Sequence, residues 1–173
     1  MYTWFLPEYR GVNDNGEAQW YYKYEKTDAD GNGTGEFEEG VSSTYQYASL
    51  QSSRKLKGVA TPDIYGGFNT TLYAYGFDFS IAFDYQIGGL SYDSGYASYM
   101  SSPSGTSVGR NYHVDLLNAW TKGVNEDSQI PRFQYDDVYT SATSDRFLTD
   151  ASYINISNIN LGYTFPAKWW NNK

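Results

Sequence analysis

The segment DADGNGTGEFEE, from Asp28 to Glu39, places several hard oxygen ligands close together in the sequence. Its acidic and amide residues follow the spacing of a calcium-binding loop, in which alternate positions ligate the ion and a glycine makes the sharp turn. The alternative is a solvated acidic loop, because the flanks are not helical and Gly35 stands where such loops carry an apolar residue. The pattern predicts calcium ligation by the side chains of Asp28, Asp30, Asn32 and Glu39 and by the carbonyl group of Thr34.

Residues for acid–base or nucleophilic catalysis are sparse in the sequence. The single histidine, His113, lies beside the apolar face of a short predicted helix, where a packing or surface role is the simpler interpretation. The pairs Glu38-Glu39 and Asp136-Asp137 are adjacent, and neighbours in a strand point to opposite faces, so neither makes an acid–base pair. We therefore expect no catalytic residue, no enzyme activity and no cofactor beyond a calcium ion at the acidic segment.

Aromatic residues make up 19% of the chain, a density that suits β-sheets, membrane-interface girdles and surfaces that stack on sugar rings. One cluster lies between positions 92 and 120, where it either binds a sugar or a partner or forms the small core of a long loop. The substrate-binding candidates in this cluster are Tyr96, Tyr99, Tyr112 and Trp120. The candidate anchors at a membrane interface are Trp4, Trp20, Trp169 and Trp170.

The composition excludes several classes of protein. The 173-residue chain has a net charge of −8, which makes nucleic acid a poor partner, and it has no cysteine for disulfides or thiolate metal sites. No apolar run approaches the length of about 18 residues that a transmembrane helix needs. The opening MYTWFLPEYRG lacks the basic start and apolar stretch of a signal peptide, so an exported form is expected to be a mature chain or a fragment.

The segment from Ile64 to Ile87 predicts two long strands joined by a tight turn at Tyr75-Gly76, with a bulge and a positive φ at the glycine. In the second strand every odd position from Phe77 onward is large and apolar, and the even positions are small or polar. This period of two places the apolar side chains on one face of the strand. The matching face of the first strand holds Ile64, Phe68 and Leu72.

Each predicted strand has about ten or eleven residues, the length of a tilted strand that crosses a bilayer, whereas soluble strands more often have about five or six. Charged residues are nearly excluded from these segments: only Asp78 and Asp84 occur between 64 and 87, and only Asp150 between 147 and 166. Uncharged strands that alternate with charged connections indicate strands in lipid and loops in water. A soluble β-sandwich with a dry inner face alternates in the same way and remains the alternative.

The rest of the chain predicts shorter elements. Asn15-Gly16 is a hairpin signal, Thr27–Gly40 is a predicted loop, and Val41–Leu50 is a predicted short strand. A short helix is predicted in NYHVDLLNAWT, within the long connection 88–146. Along Phe147–Phe165 the apolar phase changes near Asn158, which predicts either a β-bulge there or an upper part outside the membrane.

Several of these segments resemble one family in the same order and at similar spacing. They are FLPEYRGVNDNGEAQWYYKYE, IYGGFNTTLYAYGFDFSIAFDYQIGGLSYDSGYASYM, DLLNAWT, IPRF and DRFLTDASYINISNINLGYTFPAKW. Together they are similar to the late barrel of the SusC/RagA-like TonB-dependent outer-membrane transporters. The resemblance implies an all-β fold in which antiparallel up-and-down strands form part of a large transmembrane β-barrel, with long extracellular loops that contain a short helix.

The resemblance also implies a function, import of glycan or peptide oligomers across the outer membrane of a Gram-negative bacterium. The implied partners are the rest of the barrel and its plug, TonB through that plug, a SusD-like surface lipoprotein and the lipid bilayer. The implied organisation is one partial barrel domain: a strand, hairpin and extracellular-loop region at 1–63, a transmembrane hairpin at 64–87, a long extracellular loop at 88–146, and a transmembrane strand with a periplasmic turn at 147–173.

Two other functions stay open on the residues alone. A soluble, aromatic-rich carbohydrate-binding β-sandwich would use the same alternation and the same aromatics, and it would need no detergent. A hydrolase lacks any supporting constellation. If the barrel interpretation holds, the chain offers too few strands to close by itself, because a transmembrane barrel needs at least about eight.

Overall fold

The computed structural model describes residues 2–105 and 109–169, and this part of the chain is built mainly from antiparallel strands. The all-β class predicted from the alternation is confirmed. In chain order the strands and α-helices are β1 (Thr3–Leu6), β2 (Tyr9–Val12), β3 (Ala18–Thr27), β4 (Gly33–Ser42), α1 (Tyr45–Ala48), β5 (Lys55–Val59), β6 (Ile64–Ala74), β7 (Phe77–Ile87), β8 (Leu90–Tyr92), α2 (Ser94–Tyr99), β9 (Leu148–Asp150) and β10 (Tyr153–Tyr163). Short 3₁₀ turns are Gln51–Ser53, Val114–Asn118, Asp145–Phe147 and Ala167–Trp169.

The described chain divides into two compact units. The sheet unit consists of Tyr2, Val59–Ser91 and 150–169, and it contains β6, β7 and β10. The loop unit consists of Thr3–Gly58 and Tyr92–Thr149, and it contains β2, β3, β4 and both α-helices. No helix among the described residues is long and apolar enough to span a membrane.

The sheet unit is a three-stranded antiparallel sheet in the order β10-β7-β6. β6 and β7 pair without interruption from Ile64 opposite Ile87 to Ala74 opposite Phe77, so only two residues form the turn. Tyr75 and Gly76 both have positive φ, at 53° and 87°, as a primed two-residue hairpin turn requires. The bulge predicted at this turn is therefore absent from the ladder, and Tyr75 takes the first of the two left-handed positions.

β10 contains a β-bulge, which explains why the apolar residues of this strand change phase near Asn158. Ile156 pairs with Phe83 and Asn158 pairs with Ala82, which leaves Ser157 as the extra residue. The hydroxyl group of Ser157 donates to the carbonyl of Ala82 at 3.3 Å. Because the bulge shifts the register by one residue, both halves of β10 present their aliphatic side chains to the same face of the sheet. Of the two explanations that the sequence left open, the bulge is the correct one.

The loop unit contains a three-stranded sheet in the order β2-β3-β4. The hairpin predicted at Asn15-Gly16 joins β2 to β3, and Asn13 closes it by accepting hydrogen bonds from the backbone N–H groups of Asn15 and Glu17 at 2.9 Å. β3 pairs with β4 from Trp20 to Thr27, so most of the predicted loop Thr27–Gly40 is a strand. The predicted strand Val41–Leu50 is also wrong, because the chain leaves β4 at Ser42 and turns into α1.

Two small cores hold the loop unit together. In the first, the buried ring of Trp20 packs edge-on against Tyr9 and Tyr45, at centroid distances of 6.1 and 5.1 Å. In the second, Phe147 and Met100 are buried with Ala97 of α2. The predicted short helix occurs as the 3₁₀ turn Val114–Asn118, whereas α2 was not predicted.

Candidate functional site

The three long strands of the sheet unit have two chemically different faces. Cross-strand partners lie on the same face, so the ladders assign every side chain. The apolar face carries Ile64, Phe68 and Leu72 of β6, Phe77, Phe79, Ile81, Phe83, Tyr85 and Ile87 of β7, and Ile154, Ile156, Ile159, Leu161 and Tyr163 of β10. The other face carries Asn69 and Thr71, then Asp78, Ser80, Asp84 and Gln86, then Asn155, Asn158 and Asn160. This arrangement confirms the strand faces predicted from the alternation.

The apolar face is open in the sheet unit. Leu161 and Ile154 are 72% and 76% exposed, and Phe68 and Leu72 of β6 are exposed to a similar degree. A contiguous surface of Phe, Ile and Leu on this scale is not stable in water, since soluble domains bury such a face or use it as an interface. The face therefore requires an apolar medium or an apolar partner.

The opposite face is a hydrogen-bonding surface. Asn155 donates its side-chain amide to the carboxylate of Asp84 at 3.1 Å, and the amide of Asn160 donates to Ser80 at 3.3 Å. These bonds link β10 to β7 across the ladder, so this face consists of amide, hydroxyl and carboxylate groups that water can solvate. The sequences of the three strands contain no Lys or Arg, and their only acidic residues, Asp78 and Asp84, lie on this face.

The dimensions of the sheet match a bilayer. β6, β7 and β10 each have 11 residues. A strand of that length spans about 33 Å, and at the tilt of about 40° found in transmembrane barrels it covers about 25 Å along the membrane normal, the height of their apolar band.

The sheet is also open at both sides. Within the described residues, β6 and β10 each pair with β7 alone, so each has one edge of unpaired backbone N–H and C=O groups. Such edges are costly in lipid unless further strands pair with them.

A chain of aromatic rings marks one end of the sheet, next to the Tyr75-Gly76 turn. The ring centroids of Phe77 and Tyr163 are 4.5 Å apart, those of Tyr163 and Phe165 are 5.0 Å apart, and those of Phe165 and Trp169 are 5.7 Å apart. Tyrosine and tryptophan at a strand end are typical of the interface between apolar and aqueous phases.

The other predicted tryptophan anchors have different positions. The anchor role predicted for Trp20 is wrong, because this side chain is only 1% exposed and forms the core of the loop unit. Trp4 packs against Tyr92, with ring centroids 6.1 Å apart. Trp170 lies outside the described residues.

The loop unit is joined by an ion-pair network that connects distant parts of its sequence. The Nζ atom of Lys57 lies 2.6 Å from Glu8 and 2.9 Å from Asp145, and Lys55 also pairs with Glu8. Hydrogen bonds from Lys55 and Lys57 lower the pKa of Glu8. Burial opposes the charge of Lys57, but its hydrogen bonds to Glu8 and Asp145 outweigh burial and raise its pKa. The network therefore favours the charged form of both groups.

A second ionic cluster surrounds Arg132. Its guanidinium group lies 3.1 Å from Glu17 and 3.3 Å from Asp137, and it donates to the carbonyl of Asn15 at 3.0 Å. Burial raises the pKa of Asp137, while Arg132 works in the opposite direction. The cluster holds the β2–β3 hairpin against the 88–146 connection, which is a structural task.

The predicted substrate-binding residues divide between core and surface. Tyr96 is structural: its ring packs edge-on against His113 at 4.7 Å, and its hydroxyl group donates to Asp115 at 2.8 Å. Tyr112 contacts Phe133 edge-on at 5.0 Å, Tyr99 is 52% exposed, and Trp120 lies against the backbone of Gly16. The structure does not bring these four side chains together around one pocket, and a binding role for them remains a prediction.

The predicted calcium ligands are also separated. Asp28 accepts hydrogen bonds from the N–H groups of Asp30 and Asn32, at 3.0 and 2.8 Å, and so closes the β3–β4 turn. Glu39 lies opposite Lys23 in the ladder and pairs with its Nζ atom at 2.5 Å. Because Lys23 is four residues from the end of β3, Glu39 lies about 13 Å from the turn. Among the described residues, no three His, Cys, Asp or Glu side chains are grouped to hold a metal ion.

Sequence reasoning missed one cluster of the loop unit, formed by Tyr22, Tyr24 and Tyr47. The period of two between Tyr22 and Tyr24 is visible in the sequence. The third ring was not predictable, since it comes from α1, where a strand was expected.

A sheet of long antiparallel strands with one apolar face, one hydrogen-bonding face and two open edges is part of the wall of a large β-barrel. No family model matches the chain. The TonB-dependent receptor P3 of Formosa agariphila is 30% identical over 120 residues, which are 68% of this chain and 11% of the receptor. A solved structure of the RagAB peptide transporter is 25% identical, with a TM-score of 0.68 over 99% of this chain and 17% of that chain.

The family predicted from the motifs is thus confirmed: in sequence and fold, the chain is a β-barrel segment of the SusC/RagA-like TonB-dependent transporters. It spans about a tenth of the curated relative that it matches.

Proposed function

We propose that β6, β7 and β10 form part of the wall of a transport barrel in the outer membrane of a Gram-negative bacterium. The observation that carries the proposal is the pair of opposite faces on three strands of 11 residues each. The apolar face contacts lipid and the face of Asp84, Asn155 and Asn160 borders the lumen. The relatives are named as a receptor and a transporter, which supports a role in transport and not in catalysis.

The orientation follows from loop length, because outer-membrane barrels have short periplasmic turns and long external loops. The Tyr75-Gly76 turn has two residues and is assigned to the periplasmic side, together with the segment that follows β10. The connections 1–63 and 88–146 are assigned to the outside of the cell. The loop unit then receives the substrate first.

The complete transporter imports oligomers, either glycans or peptides, with energy delivered by TonB through the plug. A SusD-like surface lipoprotein covers the outer opening. The name of the RagAB peptide transporter supports the transport assignment, and its peptide substrate is a property of that protein. The unpaired edges of β6 and β10 are occupied by neighbouring strands of the same barrel.

The test is uptake by cells that carry the complete transporter, with and without TonB. Fluorescently labelled oligosaccharides and peptides are supplied outside, and the periplasmic fraction is analysed for intact label. We expect TonB-dependent uptake of uncleaved oligomer. Equal uptake in cells without TonB, or cleavage by the purified protein, contradicts the proposal.

Co-purification tests the lipoprotein partner. An affinity tag on the complete transporter is expected to retain a surface lipoprotein in detergent, and a transporter that lacks residues 88–146 serves as the comparison. If no lipoprotein is retained by the intact protein, the partner assignment fails while the transport assignment stands.

A further inference from the structure

Three tyrosines of the loop unit form a contiguous aromatic surface, the tyrosine platform, which consists of Tyr22, Tyr24 and Tyr47. The ring centroid of Tyr24 lies 5.7 Å from that of Tyr22 and 5.5 Å from that of Tyr47, and the corresponding planes are tilted by only 24° and 23°. The third pair, Tyr22 and Tyr47, is separated by 5.7 Å. β3 supplies the first two rings from one strand face, and α1 supplies the third.

The neighbouring strand β4 is adapted to this surface. Gly40 is the ladder partner of Tyr22, and a Cβ atom at Gly40 would lie 2.9 Å from the tyrosine hydroxyl oxygen. The absence of a side chain therefore lets the ring lie across the sheet. Glu38 is the partner of Tyr24, and its carboxylate accepts a hydrogen bond from Tyr22 at 3.2 Å. The platform thus combines flat ring surfaces with a carboxylate acceptor at its edge.

The platform differs from the tyrosines that build the core. Tyr9 and Tyr45 pack against the buried Trp20, and burial raises the pKa of Tyr9 to about 12. Tyr47 is instead 45% exposed, although its ring stacks on Tyr24 and lies against Tyr22 at an interplanar angle of 42°. Tyr22 and Tyr24 are half-buried beneath it, so the exposed part of the Tyr47 ring is the aromatic area that the platform presents to a ligand.

We infer that the tyrosine platform binds a neutral oligosaccharide, an inference that rests on the proposed import function and narrows its substrate class. The C–H face of a sugar ring stacks on the exposed ring of Tyr47, while sugar hydroxyl groups donate to the carboxylate of Glu38. An anionic sugar is disfavoured, because the carboxylate repels it and the nearby Lys23 lies on the other face of β3, paired with Glu39.

Binding to the complete, detergent-solubilised transporter tests this inference by isothermal calorimetry. The probes are four neutral hexasaccharides: maltohexaose, cellohexaose, xylohexaose and laminarihexaose. For the probe that binds, Tyr47→Ala is expected to raise Kd by about 3- to 10-fold, the loss of one stacking contact. Tyr47→Phe keeps the ring and should stay within about 2-fold of the wild type. The matched control is Tyr135→Ala, which removes another exposed tyrosine of the loop unit and should leave Kd unchanged.

A second variant separates binding from folding. Glu38→Gln keeps the size of the side chain and the packing of the rings but replaces the charged acceptor by a neutral one, and it is expected to weaken binding by about 2- to 10-fold, because hydrogen bonds to a carboxylate are stronger than those to an amide oxygen. The inference is overturned if none of the four hexasaccharides binds, or if Tyr47→Ala and Glu38→Gln behave like Tyr135→Ala. If the transporter takes up only peptides, the platform inference fails while the import function stands. If it takes up neither class of oligomer, the import function itself fails.

Discussion

Substitution of Ile81 by arginine perturbs the lipid-facing surface close to its middle. Ile81 is one residue from Ala82, the centre of β7, so it lies about 3 Å from the middle of the strand. Its ladder partners are Thr70 and Ile159, and the acidic residues of the three strands lie on the opposite face. An arginine at position 81 would therefore enter the apolar band without a carboxylate partner.

The expected cost is about 2–4 kcal/mol, the value for arginine near the midplane of a transmembrane barrel. This cost lowers the folding equilibrium constant by about 30- to 1000-fold. Ser80→Arg is the matched control, because position 80 is adjacent in sequence but lies on the polar face, two residues from Asp78 and four from Asp84. We expect a cost of about 1 kcal/mol or less for this variant.

The assay is guanidinium unfolding of the complete barrel in lipid vesicles, with the free energy obtained by linear extrapolation. The difference between the two variants is the informative quantity, since both add the same side chain to the same strand. A larger cost for Ser80→Arg than for Ile81→Arg would show that the faces are reversed. Equal costs would refute the claim that only one face meets lipid.

Three further predictions concern the bulge, the ion pairs and the acidic turn. Deletion of Ser157 removes the extra residue and makes Ile156 and Asn158 neighbours opposite Phe83 and Ala82, so the alternation becomes continuous and no side chain changes faces; we expect a yield of folded barrel in membranes close to that of the wild type, as for Ser157→Ala, and a collapse of the yield after deletion would count against the register. Because the folded pKa of Glu8 lies below its ordinary value of 4.5, its ion pairs stabilise the loop unit above that pH and are lost as the pH falls through the folded pKa. The melting temperature should therefore fall below about pH 4.5, and it should fall less steeply in Glu8→Gln; identical pH profiles of the melting temperature in the two proteins would contradict this. Asp28→Ala should loosen the β3–β4 turn by the same amount with and without calcium, as measured by amide exchange across Asp28–Asn32, whereas calcium-dependent protection of the wild type would restore the calcium-loop interpretation.

The strands of the sheet unit were predictable because they are governed by local alternation. Phe77 to Ile87 is amphipathic at a period of two, and the ladder keeps that phase along the whole strand. The change of phase in β10 was also visible, but sequence alone did not distinguish a bulge from a strand end. Only the pairing with β7 identifies Ser157 as the extra residue.

The loop unit was predicted less well because long-range contacts determine it. β4 is rich in glycine and glutamate, which are depleted in strands, so its composition predicted a loop. Its pairing with β3 and the ion pair between Lys23 and Glu39 override that preference. The link from Lys57 to Glu8 and Asp145 likewise joins three remote segments, and no local pattern indicates it.

The candidate sites were likewise predictable where local sequence decides the structure and not where long-range contacts decide it. The calcium pattern Asp28–Glu39 matched in spacing, yet it assumed a compact loop, and the extended β4 carries Glu39 away from the turn. The tyrosine platform escaped notice because α1 supplies one of its rings. Residue type and spacing therefore indicate which face of a strand a side chain occupies, but not which remote elements converge on it.

Spin labels along β7 test the central claim most directly, that this sheet is a barrel wall with its apolar face in lipid. Single cysteines at positions 79 to 84 of the complete transporter, reconstituted in vesicles, are labelled and probed with oxygen and with a water-soluble nickel chelate. We predict that labels at Phe79, Ile81 and Phe83 are more accessible to oxygen, and that those at Ser80, Ala82 and Asp84 are more accessible to the chelate. The opposite phase, or the absence of a period of two, would contradict the account.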